Sequence, residues 1–337
     1  MRALVLTGPG KAEVQDVPAP TPGDGQVVVD VERVGVCGTD MELFSGEMSY
    51  LHTGASSYPL RPGHEWCGTV TAAGAGVDES WIGRRVTGDT MIGCGHCRRC
   101  RQGRHWVCEQ RYELGIRDGL PGALAEQVAV PAGYLHVLPE TVDATLGAMV
   151  EPGGNALRCV EAAELTAGDR LLVLGTGTIG LLVAMFARAR GAEVHLIGRS
   201  ENDLALPGSL GFADAWTRET LPDLPWDGVV DASTGAEMPP FALDRIEPGR
   251  RVVYIGLSVP PSLIDTRDLV LKDVTAVGVL GASAGLGGAV EAYANGSVDP
   301  RPLVAATVTL DEIVEVFAGR RPPGGAPKVH ADPRSNR

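Results

Sequence analysis

The sequence predicts an α/β chain built from two unlike parts. Three observations carry this reading. Short apolar runs bounded by Gly and Pro fill the first part of the chain. An alternation of β-like and α-like segments takes over near residue 150. A strand, a Gly-rich loop and an apolar helix pattern then follow one another directly from Leu171 to Arg190. Strands punctuated by turn residues indicate a β-rich, barrel-like unit. Strands alternating with helices indicate a parallel, doubly wound sheet.

The elements follow in order. Val17-Pro18-Ala19-Pro20 and Thr21-Pro22-Gly23-Asp24-Gly25 are turns, and Gln26 to Val34 reads as a strand with Val at 27, 28, 29, 31 and 34. Residues 66–92 hold two more strands, separated by turns at Gly74 to Gly76 and at Trp81 to Gly83. Residues 122–139 add two further β-runs. In the second part, Arg170–Leu174, Glu193–Ile197, Gly228–Asp231, Arg251–Ile255 and Val274–Val279 read as strands. Leu181–Arg190, Gly288–Ala294 and Asp311–Ala318 read as helices. No internal repeat is present.

Composition excludes several functions. The 337 residues are 44% hydrophobic, enough for large cores, and Gly is spread along the whole chain. Lys and Arg number 29 against 42 Asp and Glu, a net charge of −13. A chain this acidic is unsuited to wrapping nucleic-acid phosphates. No apolar run approaches the roughly 20 residues that span a bilayer. Met1 to Gly8 lacks a signal-peptide layout and reads as a first strand, so a cytoplasmic protein without a membrane partner is expected.

Four of the seven cysteines fall between residues 94 and 108, spaced Cys94-x2-Cys97-x2-Cys100-x7-Cys108. Four thiolates can close a tetrahedral shell around Zn²⁺ with no open position, which makes a structural site. A tetrahedral sulfur site for iron and a pair of disulfides are the other readings, and a reducing compartment disfavours the second. Arg98, Arg99, Arg101 and Arg104 would offset the charge of such a centre. Cys67 and Cys159 read as small core side chains.

Gly175-Thr176-Gly177-Thr178-Ile179-Gly180 matches G-x-G-x-x-G between a strand and a helix. This pattern binds the pyrophosphate of a dinucleotide at a helix N-terminus. The strand Glu193–Ile197 leads to Gly198-Arg199-Ser200, where an NAD site carries an acidic residue. Arg199 can pair with a 2′-phosphate and Ser200 can donate to it, so NADP is expected ahead of NAD. Glu201 argues the other way, and Arg199 could be a solvated surface charge.

A second metal set is scattered. Cys37 and Thr39-Asp40 lie at the end of the Gln26–Val34 strand, Gly63-His64-Glu65 precedes the next, and Glu151-Pro152 opens the second part. Each alone is weak. Together they supply a thiolate, an imidazole and carboxylates, and a catalytic zinc takes three such ligands and keeps an open position. Nothing in the spacing shows that they converge.

With these motifs in this order, nearly the whole chain resembles the zinc-dependent medium-chain dehydrogenases, the superfamily of alcohol, polyol and sugar dehydrogenases. The resemblance rests on Gly35-Val36-Cys37-Gly38-Thr39-Asp40, Gly63-His64-Glu65, the four-cysteine lobe, Glu151-Pro152 and the Gly175–Gly180 loop. It implies a GroES-like β-rich catalytic domain at 1–151 and 284–337, with the structural zinc lobe at 93–109. It implies a Rossmann domain at 152–283, with the active site in the cleft between the domains. It implies two zincs per chain, a small hydroxyl or carbonyl substrate, and a homodimer or homotetramer, with the Val274–Leu280 run either a joining edge or simply an interior strand.

Residue by residue, the resemblance makes Cys37 and His64 ligands of the catalytic zinc. Glu151 takes the third-ligand position and Glu65 the acidic position that can approach the metal. Thr39 matches the hydroxyl that bonds the substrate oxygen, and Asp40 a residue orienting His64. Glu42 stands where many alcohol dehydrogenases carry a relay His, and together with Cys37-Gly38-Thr39-Asp40 it resembles the glucose dehydrogenase branch in part. Glu151 departs from that branch. The reaction implied is hydride transfer between a secondary alcohol of a polyol, sugar or cyclitol and NAD(P), with the proton leaving through Thr39 towards solvent by way of the ribose, Glu42 or His52. Asn155 would contact a sugar hydroxyl or cap the following helix. A broad-specificity zinc alcohol dehydrogenase or aldehyde reductase, a non-catalytic nucleotide-binding relative and a zinc-based redox sensor are the competing readings. His96, His105, His136, His195 and His330 carry no motif.

Overall fold

A computed structural model describes residues 1–258, 260–320, 322 and 325–335. The chain forms two compact units. The first comprises Met1–Glu151, Tyr293–Asn295 and Leu303–Arg337, and the second Pro152–Ala292 and Gly296–Pro302. In the first part of the chain the strands are β1 (Arg2–Gly8), β2 (Lys11–Asp16), β3 (Gln26–Gly35), β4 (Glu65–Ala73) and β5 (Arg85–Gly88). They continue with β6 (Met91–Ile92), β7 (Tyr112–Glu113), β8 (Gln127–Pro131) and β9 (Leu135–Val137). The second unit contributes β10 (Arg170–Leu174), β11 (Glu193–Ile197), β12 (Ala215–Trp216), β13 (Trp226–Asp231), β14 (Ile246–Tyr254) and β15 (Thr275–Gly278). The chain closes with β16 (Val304–Val308) and β17 (Lys328–Ala331).

The first unit is organised around β3. Its sheet runs β16-β17-β3-β4-β5-β9, and β8 also pairs with β3. β3 buries Val27, Val29, Val31 and Val34 in one core with Leu4, Leu6, Trp66 and Leu124, and its register shifts between Val31 and Arg33. The helix Leu310–Phe317 closes this core. Thr309 and Glu312 form its capping box, with Glu312 Oε2 accepting from the Thr309 N–H at 2.8 Å. Leu310, Ile313 and Phe317 recur at helical spacing and are buried on one face.

Two antiparallel pairings at the end of β3 decide what can meet there. Gly35 lies opposite Glu65 of β4 on one side and opposite His330 of β17 on the other. A Cβ at Gly35 would stand 2.3 Å from Glu65 Oε2, so only glycine leaves room for that carboxylate.

The second unit is a six-stranded parallel sheet of order β12-β11-β10-β13-β14-β15. Every pairing in it is parallel. Leu171–Leu174, Val229–Val230 and Val252–Val253 are buried, as expected of central strands covered on both faces. The helix Thr178–Ala189 returns from β10 towards β11 with Leu181, Leu182 and Met185 buried.

One boundary differs from the sequence reading. Residues 284–292 and 296–302 belong to the second unit, not the first. The cause is close packing on the helix Val150–Ala163: a Cβ at Gly285 would stand 2.2 Å from the Gly154 carbonyl oxygen, and Arg158 donates to the Leu280 carbonyl at 2.7 Å. Asn155 lies inside that helix, not at its N-cap. Among the described residues no helix is long and apolar enough to cross a membrane.

Candidate active site

β3 ends at Gly35, and the chain turns straight into the helix Gly38–Ser45 with Cys37 at its N-cap. Asp40, buried on the first turn, ties two segments together. Its Oδ2 accepts the Cys37 N–H at 2.9 Å and its Oδ1 accepts the Gly63 N–H at 3.1 Å. The same Oδ1 lies 3.5 Å from Nδ1 of His64. One carboxylate thereby holds the Cys37 turn against the strand start that carries His64.

The outcome is a cluster. Donor atoms of Cys37, His64 and Glu65 all lie within 4.8 Å of one another. His64 and Glu65 are buried, at 4% and 1% exposure. Burial opposes a charge on His64, yet Asp40 and Cys37 raise its pKa well above the ordinary value. Nδ1 of His64 faces Asp40 Oδ1 at 3.5 Å and has no closer polar partner among the described residues, which leaves Nε2 on the other edge of the ring for a metal. Thiolate, imidazole and carboxylate in one pocket are zinc donors, so the residues fit the ion.

Glu65 has a second engagement. The Lys328 ammonium donates to Glu65 Oε1 at 2.8 Å, to Oε2 at 2.7 Å and to the Val36 carbonyl at 3.0 Å. Burial works against the charge on Lys328, while Glu65 and Cys37 raise its pKa and keep it protonated. Lys328 was not singled out in the sequence. The available signal was a single cation in an otherwise uncharged, fully buried strand.

Of the other expected residues, Glu151 is buried in the first turn of the Val150–Ala163 helix and lies outside the donor cluster. Thr39 stands in the first turn after Cys37. Glu42 is half-buried one turn on, and burial, aided by Glu47, raises its pKa. His52 is exposed at the end of the short helix Ser49–Thr53.

The four cysteines of the lobe converge. Cys94 and Cys100 have Sγ atoms 4.0 Å apart, and Cys97 and Cys108 are 3.8 Å apart. A tetrahedron with Zn–S bonds of about 2.3 Å has edges of about 3.8 Å. All four are free thiols, so the disulfide reading fails here. Backbone N–H groups point at the sulfurs, from Cys97 to Cys94 at 3.3 Å and from Cys100 to Cys97 at 3.4 Å. The Cys100 N–H pulls the Cys97 thiol down to about 7, whereas burial pushes Cys100 up to about 12. The lobe is fastened to the sheet unit by His105, whose Nε2 lies 2.6 Å from Asp89.

In the second unit the Gly-rich loop leaves β10. Gly175 turns at φ 110°, and a Cβ at Gly180 would stand 2.0 Å from the Gly175 carbonyl oxygen. Gly177 stands at the N-cap of the helix Thr178–Ala189, and among the described residues nothing lies within 4 Å of where its Cβ would be. Thr178 and Ile179 form the opening of that helix, and Thr176 is in the loop. The free N–H groups and bare approach are what a pyrophosphate needs. At the end of β11, Arg199 is exposed and pairs with Asp203 at 3.4 Å, beside Ser200.

Residues 23–140 match the alcohol dehydrogenase GroES-like domain family. An L-threonine 3-dehydrogenase of Saccharopolyspora erythraea is 33% identical over 294 residues, covering 83% of this chain and 84% of the relative. The chain belongs to the zinc-dependent medium-chain dehydrogenases. As a medium-chain dehydrogenase it is an oxidoreductase that uses zinc and NAD(P) and acts on CH–OH groups. A protein of Sinorhizobium meliloti described as a zinc-binding dehydrogenase, solved with NADP, superposes with a TM-score of 0.89 at 29% identity, covering 98% of this chain and 99% of the other. An alcohol dehydrogenase from Thermus sp. ATN1 gives a TM-score of 0.89 at 27% identity over 98% and 99%.

Proposed function

We propose that this medium-chain dehydrogenase oxidises a secondary alcohol of a polyol, sugar or cyclitol, or reduces the matching carbonyl, with NADP preferred over NAD. The cluster of half-buried Cys37 with buried His64 and Glu65, beside Thr39, carries the reading. Zinc bound there supplies a Lewis acid that makes a substrate hydroxyl more acidic. Cys37, His64 and Glu65 hold it, with Glu151 the further carboxylate that the family pattern assigns to it. Asp40 Oδ1 faces Nδ1 of His64 and orients the ring. The Thr39 hydroxyl takes the substrate proton, and Glu42 passes it on towards solvent.

A second zinc sits in the Cys94–Cys97–Cys100–Cys108 lobe and is structural. Support for NADP is the exposed guanidinium of Arg199 at the β11 end, with Ser200 beside it. The same reading places the enzyme in the cytoplasm, where four clustered thiols stay reduced. It also makes it a homodimer or homotetramer. β15 is an exposed edge strand, and Leu257, Leu263, Val270 and Leu271 of the same unit are exposed.

The relatives named L-threonine 3-dehydrogenase favour a second reading, in which the secondary alcohol belongs to L-threonine. One experiment separates the two. Zinc-loaded enzyme is assayed with NADP and NAD against polyols, aldoses, cyclitols, primary alcohols and L-threonine. Polyol or sugar turnover with NADP supports the proposal. L-threonine turnover alone replaces it, and primary-alcohol turnover alone makes the protein a general alcohol dehydrogenase. Cys37→Ser and His64→Ala must abolish turnover while NADPH binding survives. Turnover retained in a zinc-verified Cys37→Ser protein would refute the metal assignment.

A further inference from the structure

A cavity of about 450 Å³ lies in the first unit, apart from the donor cluster. Val5 and Val17 from the N-terminal hairpin, Leu60, and Ile116 and Leu120 from the 115–121 loop form its apolar walls. A volume of this size accepts a small molecule. A second, adjoining cavity of about 200 Å³ shares Arg61, Leu120 and Pro121 with the first, so these three residues divide the two spaces.

The charges around this space are uneven. Arg61 and Arg117 are the charged residues lining the larger cavity, and Arg61 is the charged residue lining the smaller. Among the described residues no carboxylate lines either, in a chain of net charge −13. Arg117 is already matched by Asp118 at 3.0 Å and by buried Glu113 at 4.0 Å. Arg61 has no ion pair or side-chain hydrogen bond among the described residues, and half-burial alone lowers its pKa. A partly desolvated guanidinium without a counter-charge is costly unless a ligand supplies one.

We infer that the paired cavity is a binding site for a small monocarboxylate with an apolar tail. The carboxylate pairs with Arg61, and the tail lies against Val5, Val17, Ile116 and Leu120. A guanidinium takes a carboxylate through two parallel N–H bonds. A single unpaired cation matches one negative charge, which favours a carboxylate over a dianionic phosphate. The site adjoins the segment that carries His64: Gly115 of its loop packs so closely on Gly63 that a Cβ would stand 2.8 Å from the Gly63 carbonyl oxygen.

The test is calorimetric titration of the zinc-loaded enzyme, saturated with NADPH so that the cofactor site is filled. Octanoate, octanamide and octyl phosphate are the probes. One octanoate site per chain is expected, with octanamide at least about tenfold weaker. Arg61→Gln should weaken octanoate about tenfold or more, the range for a hydrogen bond to a charged group. Arg61→Lys should lose less. Leu120→Glu, which puts a negative charge in the wall, should abolish binding independently of Arg61. No octanoate binding at millimolar concentration overturns the inference, as does undiminished binding in Arg61→Gln and Leu120→Glu. Octyl phosphate binding tenfold tighter than octanoate overturns the carboxylate assignment. None of the three variants alters a residue of the donor cluster, so failure here leaves the dehydrogenase reading standing.

Discussion

Lys328 and Glu65, 263 residues apart in sequence, form a fully buried ion pair in which one ammonium reaches both oxygens of one carboxylate, at 2.7 and 2.8 Å. The pair fixes where the Glu65 carboxylate of the donor cluster rests. Removing the ammonium strands a buried charge. Lys328→Met should lower the unfolding free energy by about 3–5 kcal/mol, read from urea melts at pH 7. Adding Glu65→Gln should recover a large part of that loss. Additive losses in the double variant would show that the two residues are not coupled.

Asp40 predicts a metal-affinity effect without a loss of donors. Asp40→Asn keeps the size of the side chain but weakens its hold on the Cys37 and Gly63 N–H groups and on His64. Zinc affinity at the cluster should fall about 10–100-fold in chelator competition. Zinc in the four-cysteine lobe should be retained.

His330 predicts the acid behaviour of the fold. It is completely buried, and burial, with Lys328 and Arg33 adding to it, pulls its pKa to about 3. An unfolded His titrates near 6.5, so between those values the unfolded chain binds the extra proton. The contribution is therefore complete above about pH 6.5 and falls as pH drops towards 3, by up to about 1.4 kcal/mol per pH unit. His330→Leu should flatten this slope. Urea melts at pH 7 and pH 5 check it, and an unchanged difference between the two pH values would show that the imidazole is not responsible.

Gly180 predicts a cofactor defect separate from the metal. Gly180→Ala places a methyl group 2.0 Å from the Gly175 carbonyl oxygen, so the loop must move. NADPH affinity, followed by fluorescence titration, should drop by at least about tenfold, since the loop backbone approaches the pyrophosphate. Zinc content should not change. Arg199→Ala should leave NADH binding as it is while weakening NADPH.

Local chemistry was legible in the sequence, and long-range pairing was not. The Gly175–Gly180 loop and the four-cysteine lobe each lie in one stretch of chain, so spacing alone gave their geometry. Cys37 and His64 could be named as partners only through the family resemblance, because their meeting depends on β3 pairing with β4. Lys328 escaped notice because its role is set by the register of β17 beside β3, and no spacing rule reaches across that distance. The return to the first unit was placed too early at 284, since a helix pattern does not reveal which sheet or helix it will pack on. Arg61 belongs to no sequence motif. Only the missing counter-charge around it sets it apart.

The position of β17 also constrains the order of events during synthesis. It is inserted between β16 and β3, inside the sheet that presents Cys37 and Glu65. The ribosome must therefore translate past Ala331 before that sheet can close and before the Glu65 carboxylate acquires its ammonium. The parallel sheet of the second unit is complete by β15 and is free to form earlier. A nascent chain stalled short of residue 328 would expose the open edge of β3 and an uncompensated acid, a natural target for a chaperone.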